Sequence, residues 1–213
     1  MIVEAGTHNL EDGHADPTWF ARDVLIFTEA DLADVCRAAG QREVYWKRNQ
    51  TVVIVTRPGF FVAEPHVRWH RAHPGIWRLT PARGTLVVRG EVGPVLGRRK
   101  VAILAEHRIN DAWKDGARRR WTRRLLWARH SRMTARLIRR LARRGYLVLA
   151  GGDLNVQPFK ADAHGYPPEL GVELGARLDR LFASRPVRVT EVKYLDGGGS
   201  DHPRLRAAFE WRD

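Results

Sequence analysis

The sequence predicts an α+β fold in which two packed sheets are flanked by helices. Ten short segments have the apolar or alternating pattern of β-strands, whereas only three segments have helical patterns. No internal repeat or low-complexity linker interrupts this order, and 213 residues are close to the usual size of one domain. We therefore expect a single domain that spans residues 1–213.

Each predicted element follows from its local pattern. The strands mix alternation with full apolarity, and the first helix begins directly after a strand. Residues 57–82 contain four prolines and two tryptophans, so we expect a long irregular surface loop there. The predicted strands are 2–6, 23–28, 43–47, 51–56, 84–89, 100–106, 146–150, 179–184, 187–194 and 205–211, and the predicted helices are 30–39, 117–144 and, weakly marked, 168–177.

Positive charge is concentrated in one of these helices. The chain has 37 Lys and Arg against 24 Asp and Glu, a formal net charge of +13, and residues 117–144 contain twelve arginines and no acid. Such a helix can lie along nucleic-acid phosphates or on an anionic membrane surface. The alternative is a solvated outer face in an arginine-rich protein. Apolar residues at helical spacing predict the buried face, and these are Leu126, Met133, Leu137 and Leu141.

Composition also excludes several classes of protein. The longest apolar runs span only a few residues, whereas a membrane helix needs about 20. The first ten residues lack the basic start and the apolar stretch of a secretory signal, so we expect a cytoplasmic protein without stable membrane insertion. The single cysteine, Cys36, excludes an internal disulfide and a Cys-based zinc cluster.

Three histidines in the predicted loop raise the question of a metal site. His66, His70 and His73 are spaced by four and three residues, which could bring imidazoles together. Pro65 and Pro74 disfavour a regular helix there, and no cysteine accompanies the set. Ordinary loop histidines are therefore the favoured interpretation.

Polar residues that follow predicted strands indicate a candidate site. Asp153 and Asn155 follow a buried strand pattern, and residues two apart at a strand end point to the same side. Near the C-terminus, three glycines lead into Asp201 and His202, and a flexible backbone can carry both groups into a cleft. Either pair could instead be a simple turn in which the aspartate caps backbone amides.

Three further residues repeat this placement. Asn9 follows the first strand, Glu29 ends the apolar run 24–28, and His107 closes the strand pattern 101–106. Catalytic groups concentrate at strand ends because a rigid sheet positions them while the loop leaves them accessible. These seven residues fall at five places in a short chain, which favours one shared site over separate turns.

Six motifs in this order resemble one enzyme family. They are Gly6-Thr-His-Asn9, Leu25-Ile-Phe-Thr-Glu29, Ile103-Leu-Ala-Glu-His107, Gly152-Asp-Leu-Asn155, Arg177-Leu-Asp-Arg-Leu-Phe-Ala-Ser184 and Ser200-Asp-His202. The chain resembles the endonuclease/exonuclease/phosphatase superfamily of deoxyribonuclease I-like enzymes from residue 2 to about 210. The resemblance implies a four-layer α/β/β/α sandwich of two mixed, mainly antiparallel sheets.

The resemblance also implies a hydrolase of phosphate esters that uses Mg²⁺ or Mn²⁺. Glu29 would hold the metal with Asn9 and Asp201, since hard cations prefer oxygen ligands. His202 would take a proton from the attacking water, in a tautomer held by Asp179.

The remaining motif residues would handle the phosphate. Asp153 and Asn155 would position the water and a phosphate oxygen, and His107 would donate to another phosphate oxygen as charge develops. Arg83 would add a phosphate contact by its family position. Thr28 departs from the Gln or Asn that the family often has before its Glu, but the departure removes no catalytic group.

Three hypotheses about the substrate remain open. The arginine helix favours a nuclease that binds nucleic acid through residues 117–144. A phosphatase or phosphodiesterase of a small phosphate ester or lipid headgroup is the alternative. A binding module that has lost its chemistry is disfavoured because all six expected groups are present.

Overall fold

The computed structural model describes residues 2–10, 15, 17–47, 52–74, 82–93, 98–110, 112, 120–155, 170–176, 178–184, 187–196 and 202–211. Within these ranges the strands are β1 Ile2–Asn9, β2 Val24–Thr28, β3 Glu43–Tyr45, β4 Val52–Thr56, β5 His66–His73, β6 Arg83–Val92, β7 Arg99–His107, β8 Leu147–Asp153, β9 Leu170–Ala176, β10 Asp179–Ser184, β11 Val187–Leu195 and β12 Arg204–Trp211. The helices are α1 Leu32–Ala39 and α2 Arg120–Arg143, with a 3-10 helix at Pro17–Phe20.

The strands form two six-stranded sheets. The first sheet has the order β11-β12-β1-β2-β4-β3, and the second has the order β5-β6-β7-β8-β10-β9. The pairs β1–β2 and β7–β8 are parallel, and the other pairs are antiparallel. The prediction of two mixed, mainly antiparallel sheets is thus confirmed.

Three apolar layers hold the sandwich together. The central layer lies between the sheets and contains Ile54, Ile103 and Phe209. Helix α1 covers the outer face of the first sheet, and helix α2 covers the outer face of the second. Each helix therefore shields one sheet face from water, which gives the predicted four-layer α/β/β/α arrangement.

The topology brings several strand ends to one edge of the sandwich. In each parallel pair both carboxyl ends point the same way, and β1 lies across the central core from β8 and β10. The carboxyl ends of β1, β2, β7 and β8 therefore meet at one edge. Strands β1 and β8 extend to Asn9 and Asp153, so these residues end their strands instead of following them.

The prediction of a continuous loop at 57–82 is wrong, because β5 occupies its centre. Val67 and Trp69 pack against the central core, whereas the alternating His66 and Arg68 are exposed. This is the two-residue period of a strand with one buried face. The prolines favoured a loop in the prediction, but Pro65 and Pro74 lie just outside the two ends of the strand.

The weak helix predicted at 168–177 is also wrong, because residues 170–176 form β9. It pairs antiparallel with β10, with Leu174 opposite Leu181. Gly171 and Gly175 would each cost a helix interior about 1 kcal/mol relative to alanine. Pairing with a buried neighbour strand decides the conformation here.

Helix α2 confirms the predicted element, but only part of its predicted buried face. Of the four predicted residues Leu141 is buried, and Leu126, Met133 and Leu137 are half-buried. The other large apolar residues that the helix buries, Trp127 and Ile138, were not predicted. The buried face also includes polar residues, so apolar spacing alone misplaced it by about one residue. No helix in the described ranges is long and apolar enough to span a membrane.

Candidate functional site

The predicted site residues converge where the strand ends meet. In the second sheet, Asp153 pairs in register with His107 on one side and Asp179 on the other. In the first sheet, Asn9 ends β1 and Glu29 directly follows β2. Because the sheets face each other, both sets of side chains border one cleft.

Asn9 links the two sheets within this cleft. Its Nδ2 donates a hydrogen bond of 3.1 Å to Glu29 Oε2 and one of 3.4 Å to Asp153 Oδ2. Glu29 adopts a φ of 52°, a left-handed conformation that is uncommon for glutamate. Its side chain retains 24% exposure, whereas that of Asp153 retains 3%. Glu29 is therefore the carboxylate that an incoming ion or ligand reaches first.

Asp153 is buried among other acids. Burial, together with the carboxylates of Asp179 and Glu29, raises its pKa to about 7. His202 and the backbone amide of Asn155 act in the opposite direction. A site that concentrates negative charge to this degree is stabilised by a cation.

The contacts of His107 determine which of its nitrogens bears the proton. Arg83 Nη1 donates a hydrogen bond of 2.6 Å to His107 Nδ1, and a guanidinium can only donate. His107 therefore carries its proton on Nε2, which lies 3.4 Å from Glu29 Oε1 and 3.7 Å from Asp153 Oδ2. Burial and then the charge of Arg83 hold the pKa of His107 well below its usual value. His107 is thus a neutral N–H donor.

His202 has the opposite tautomer. Its Nδ1 lies 2.6 Å from Asp179 Oδ2, and a buried carboxylate accepts the hydrogen bond. The proton is then on Nδ1, and Nε2 is the unprotonated nitrogen, which can accept a proton. The site therefore combines one histidine that donates with another that accepts.

Hydrogen bonds between side chains and the backbone hold the loop that carries Asp153 and Asn155. The backbone N–H of Asn155 donates a hydrogen bond of 2.7 Å to Asp153 Oδ1, and Asn155 Nδ2 donates one of 3.1 Å to the Arg108 carbonyl. Asn155 adopts a φ of 49°, which asparagine tolerates better than most residues. Gly152 has a φ of 127°, and a Cβ there would clash with the Glu106 carbonyl. Only glycine allows β8 to approach β7 this closely.

A buried polar network beneath α2 supports this loop, and sequence reasoning missed it. The Arg108 guanidinium donates a hydrogen bond of 3.0 Å to Glu106 Oε1 and another of 2.6 Å to Ser131 Oγ. The Thr134 hydroxyl donates a hydrogen bond of 2.9 Å to Glu106 Oε2. His130 Nε2 lies 3.2 Å from the same Glu106 oxygen. His130, Ser131 and Thr134 share the face of α2 that also carries Trp127, but the spacing of the helix gives no sign of the buried partners Glu106 and Arg108.

Trp127 joins α2 directly to the loop. Its indole Nε1 donates 2.7 Å to the Leu154 carbonyl, and the Arg108 guanidinium lies 4.8 Å from its ring centroid. The Arg108 backbone N–H in turn donates 2.9 Å to the Asp153 carbonyl. Helix α2 therefore clamps the residues on either side of Leu154.

The structure brings together eight of the nine predicted site residues, and Asp201 lies outside the described residues. Burial lowers the pKa of Arg83, whereas the carboxylates of Glu29 and Asp153 raise it. The contact of Arg83 with His107 was not predicted, because it depends on the pairing of β6 with β7.

The donor set of the cleft fits a hard divalent cation. Carboxylate and amide oxygens are the ligands that Mg²⁺ accepts, and it usually binds one or two carboxylates while keeping several waters. Among the described residues, no three His, Cys, Asp or Glu side chains form a cage made of protein alone. The raised pKa of Asp153 fits a site that a cation neutralises.

Comparison with protein families gives one match. A model of the Endonuclease/Exonuclease/phosphatase family matches residues 6–202. Members of this family are phosphoesterases that generally depend on a divalent metal. Among curated protein sequences, none is significantly similar to this chain.

Solved structures share the fold at low sequence identity. An endonuclease/exonuclease/phosphatase family protein from Bacteroides thetaiotaomicron is 10% identical, with a TM-score of 0.74 over 100% of this chain and 99% of that chain. D. rerio TDP2 complexed with single strand DNA product is 14% identical, with a TM-score of 0.66 over 98% of this chain and 99% of that chain. A mannosyl-6-phosphatase of Bacteroides thetaiotaomicron is 11% identical, with a TM-score of 0.70 over 98% of this chain and 100% of that chain.

Proposed function

Because this chain belongs to the endonuclease/exonuclease/phosphatase family, we propose that it is a metal-dependent phosphodiester hydrolase, and specifically a nuclease. The observation that carries the proposal is the pair of histidines with opposite tautomers beside the acidic cleft. In-line attack on a phosphate needs a base for the water and a donor for the charged oxygens. The two histidines supply one of each.

His202 is the proposed general base. Its unprotonated Nε2 accepts the proton of the attacking water, and Asp179 stabilises the imidazolium that forms. Asp179 is fully buried, so its charge is poorly screened by water and acts strongly on the ring. Asp153 and Asn155 are proposed to position the water and a phosphate oxygen.

His107 is the proposed donor to the phosphate. Arg83 keeps His107 Nδ1 occupied, so the Nε2 proton stays directed at the acidic cleft. A fixed donor stabilises charge that develops in the transition state without reorganising. Arg83 adds positive charge behind His107 and is also a candidate for phosphate binding.

Glu29, Asn9 and Asp201 are the proposed holders of Mg²⁺ or Mn²⁺. When bound, the ion supplies Lewis-acid polarisation of the phosphate. Glu29 offers a partly exposed carboxylate, and Asn9 fixes its direction through the hydrogen bond to Oε2. These two residues come from neighbouring parallel strands, so the first sheet orients the pair.

A nucleic-acid substrate is favoured by the position of α2. Arg123 Nη1 donates 2.8 Å to Asn110 Oδ1, and Arg124 Nε donates 3.1 Å to the Ala112 carbonyl. The arginine-rich helix therefore begins at the loop that follows His107. A related fold, that of TDP2, has been seen with a single strand DNA product, which supports the same substrate class here.

The test compares cleavage of labelled DNA and RNA, bis-p-nitrophenyl phosphate and p-nitrophenyl phosphate, each with Mg²⁺ and with EDTA. We expect cleavage of the nucleic acids and of the diester only with the metal. His202→Ala should lose this activity, whereas Glu64→Ala, at an exposed position away from the cleft, should retain it. Hydrolysis of the monoester alone would instead indicate a phosphatase, and binding without hydrolysis would indicate a module that has lost its chemistry.

A further inference from the structure

A groove lined by arginines runs between the edge strand β5 and helix α2. It has a volume of about 480 Å³, and a smaller extension of about 70 Å³ continues it toward Arg89 and Arg144. The two walls have regular spacings. On α2, Arg132, Arg136 and Arg140 are four residues apart, so they form one row along the helix with a rise of about 6 Å between neighbours.

The opposite wall is the outer face of β5. Arg68 and His70 are two residues apart and line the groove, whereas Val67 and Trp69 between them pack against the central core. A bulge between Arg71 and His73 interrupts the pairing with β6, and Arg71 also lines the groove. Alternation along the strand therefore directs Arg68 and His70 toward the arginine row of α2, and Arg71 joins them at the bulge.

No acidic side chain among the described residues compensates the positive charge in this groove. No Asp or Glu lines it, and none of its arginines forms an ion pair with a carboxylate in the described part of the chain. Elsewhere the chain does pair its arginines, as in Arg22–Glu4 at 2.9 Å and Arg57–Asp23 at 2.6 Å. Like charges held together on two packed elements repel one another, and a bound anion relieves this repulsion.

The pKa of His70 reflects the same concentration of positive charge. Burial lowers its pKa, and Arg68, Arg140, Arg89 and His66 lower it further. The three arginines come from β5, β6 and α2, so the strand face and the helix row act on the same space.

The groove fits a chain of phosphates better than it fits a membrane. All the cationic side chains of α2 are arginines, which bind phosphate oxygens with two parallel hydrogen bonds. The helix from Arg129 to Arg143 is about 21 Å long, and over this length of the duplex axis one strand of DNA carries about six phosphates. Membrane-surface helices insert an apolar face, but α2 packs its own against the second sheet.

The groove also leads to the catalytic edge. Ala72 and Arg129 line the end of the groove that lies at the carboxyl end of β5. The next residue of β5, His73, pairs in register with Arg83. Arg83 contacts His107, so the groove and the cleft are joined through one strand pair. A strand that lies in the groove would reach the cleft without crossing the sandwich.

We propose that the groove between β5 and α2 binds the phosphate backbone of a nucleic-acid strand and guides it to the catalytic cleft. The guiding role rests on the proposed nuclease function, whereas the binding role does not. Binding is sequence-independent, because the groove offers charge and no built recognition of bases.

The test measures binding of labelled single-stranded and duplex DNA of several sequences, in EDTA, as a function of salt. The groove variant combines Arg68→Gln, Arg132→Gln, Arg136→Gln and Arg140→Gln. The matched control, which has the same net charge, combines Arg37→Gln, Arg98→Gln, Lys100→Gln and Arg188→Gln at exposed positions outside the groove. Circular dichroism and thermal melting check that both variants fold.

The groove variant should weaken binding about 10-fold or more for every sequence, and the slope of log K against log salt should become shallower by about 0.9 per lost contact on duplex DNA. The control should change the slope by less than about one unit. Equal slopes in the two variants would overturn the proposal, because net charge alone would then explain binding. Equal or tighter binding of the wild type to poly-glutamate or to phosphatidylglycerol vesicles would also overturn it.

This measurement is separate from catalysis. If the groove variant loses DNA binding but the wild type with Mg²⁺ cleaves no phosphodiester, the nuclease proposal is wrong and the proposal that the groove binds nucleic acid is supported. If the wild type cleaves DNA but the groove variant binds it normally, the groove proposal fails and the nuclease stands.

Discussion

Asp179→Asn tests whether Asp179 acts through His202. The Nδ1 to Oδ2 distance of 2.6 Å joins an imidazole N–H to a buried carboxylate. A hydrogen bond to a charged group contributes about 1.5–3 kcal/mol, and a neutral one contributes about 0.5–1.5 kcal/mol. The amide oxygen can still accept from Nδ1, so the substitution should cost about 1–2 kcal/mol, or about 5–30-fold in kcat.

His202→Ala should be more damaging than Asp179→Asn. It removes the base itself, which typically contributes about 10²–10⁴-fold. Because the two residues act as a unit, the double variant should fall no further than His202→Ala alone, within about threefold. KM should change little, since neither group is proposed to bind the substrate in its ground state.

The assay is hydrolysis of bis-p-nitrophenyl phosphate with Mg²⁺ at pH 8.5. This pH is above the pKa of about 7 of Asp153, so Asp153 is ionised in the wild type. Circular dichroism confirms folding. Losses that multiply in the double variant would refute the reasoning, because Asp179 would then act independently of His202.

Three further predictions concern the metal, the buried acid and the glycine turn. Glu29→Ala should abolish Mg²⁺-dependent turnover while Glu64→Ala retains it, and EDTA should inactivate the wild type. For Asp153, a pKa raised to about 7 means that the folded state binds a proton that the unfolded chain releases, so stability should fall as pH rises from about 4 to about 7. In urea unfolding with EDTA, Asp153→Asn should remove on the order of 2–4 kcal/mol of this loss, and an identical pH dependence would exclude the assignment. Gly152→Ala should lower the melting temperature far more than Gly59→Ala, because both have positive φ but only Gly152 also lacks space for a Cβ, and equal shifts would contradict this packing.

Two errors in the predicted elements show where local patterns are insufficient. Residues 66–73 alternate like a strand, but four nearby prolines favoured a loop. Residues 170–176 were expected to be helical, but they pair with β10. In both cases a neighbouring strand far along the chain supplies the hydrogen bonds, and no local pattern reveals that partner.

The buried face of α2 shows a different limit. Apolar spacing selected Met133 and Leu137, yet the helix buries His130, Ser131 and Thr134 against Glu106 and Arg108. Polar residues are favourable inside a protein only when their partners are present. Those partners are on another element, so their burial could not be read from the helix alone.

The sequence by itself determined the two-sheet class, most strand positions, the arginine helix and the polar residues at the strand ends. These features depend on residue type and short spacing, which are local properties of the chain. Only the tertiary structure decided that Arg83 fixes the proton of His107, that burial and two other carboxylates raise the pKa of Asp153, and that β5 faces α2 across a groove. Each of these depends on distances between residues that are remote in the chain, and such distances exist only once the sheets have paired and packed.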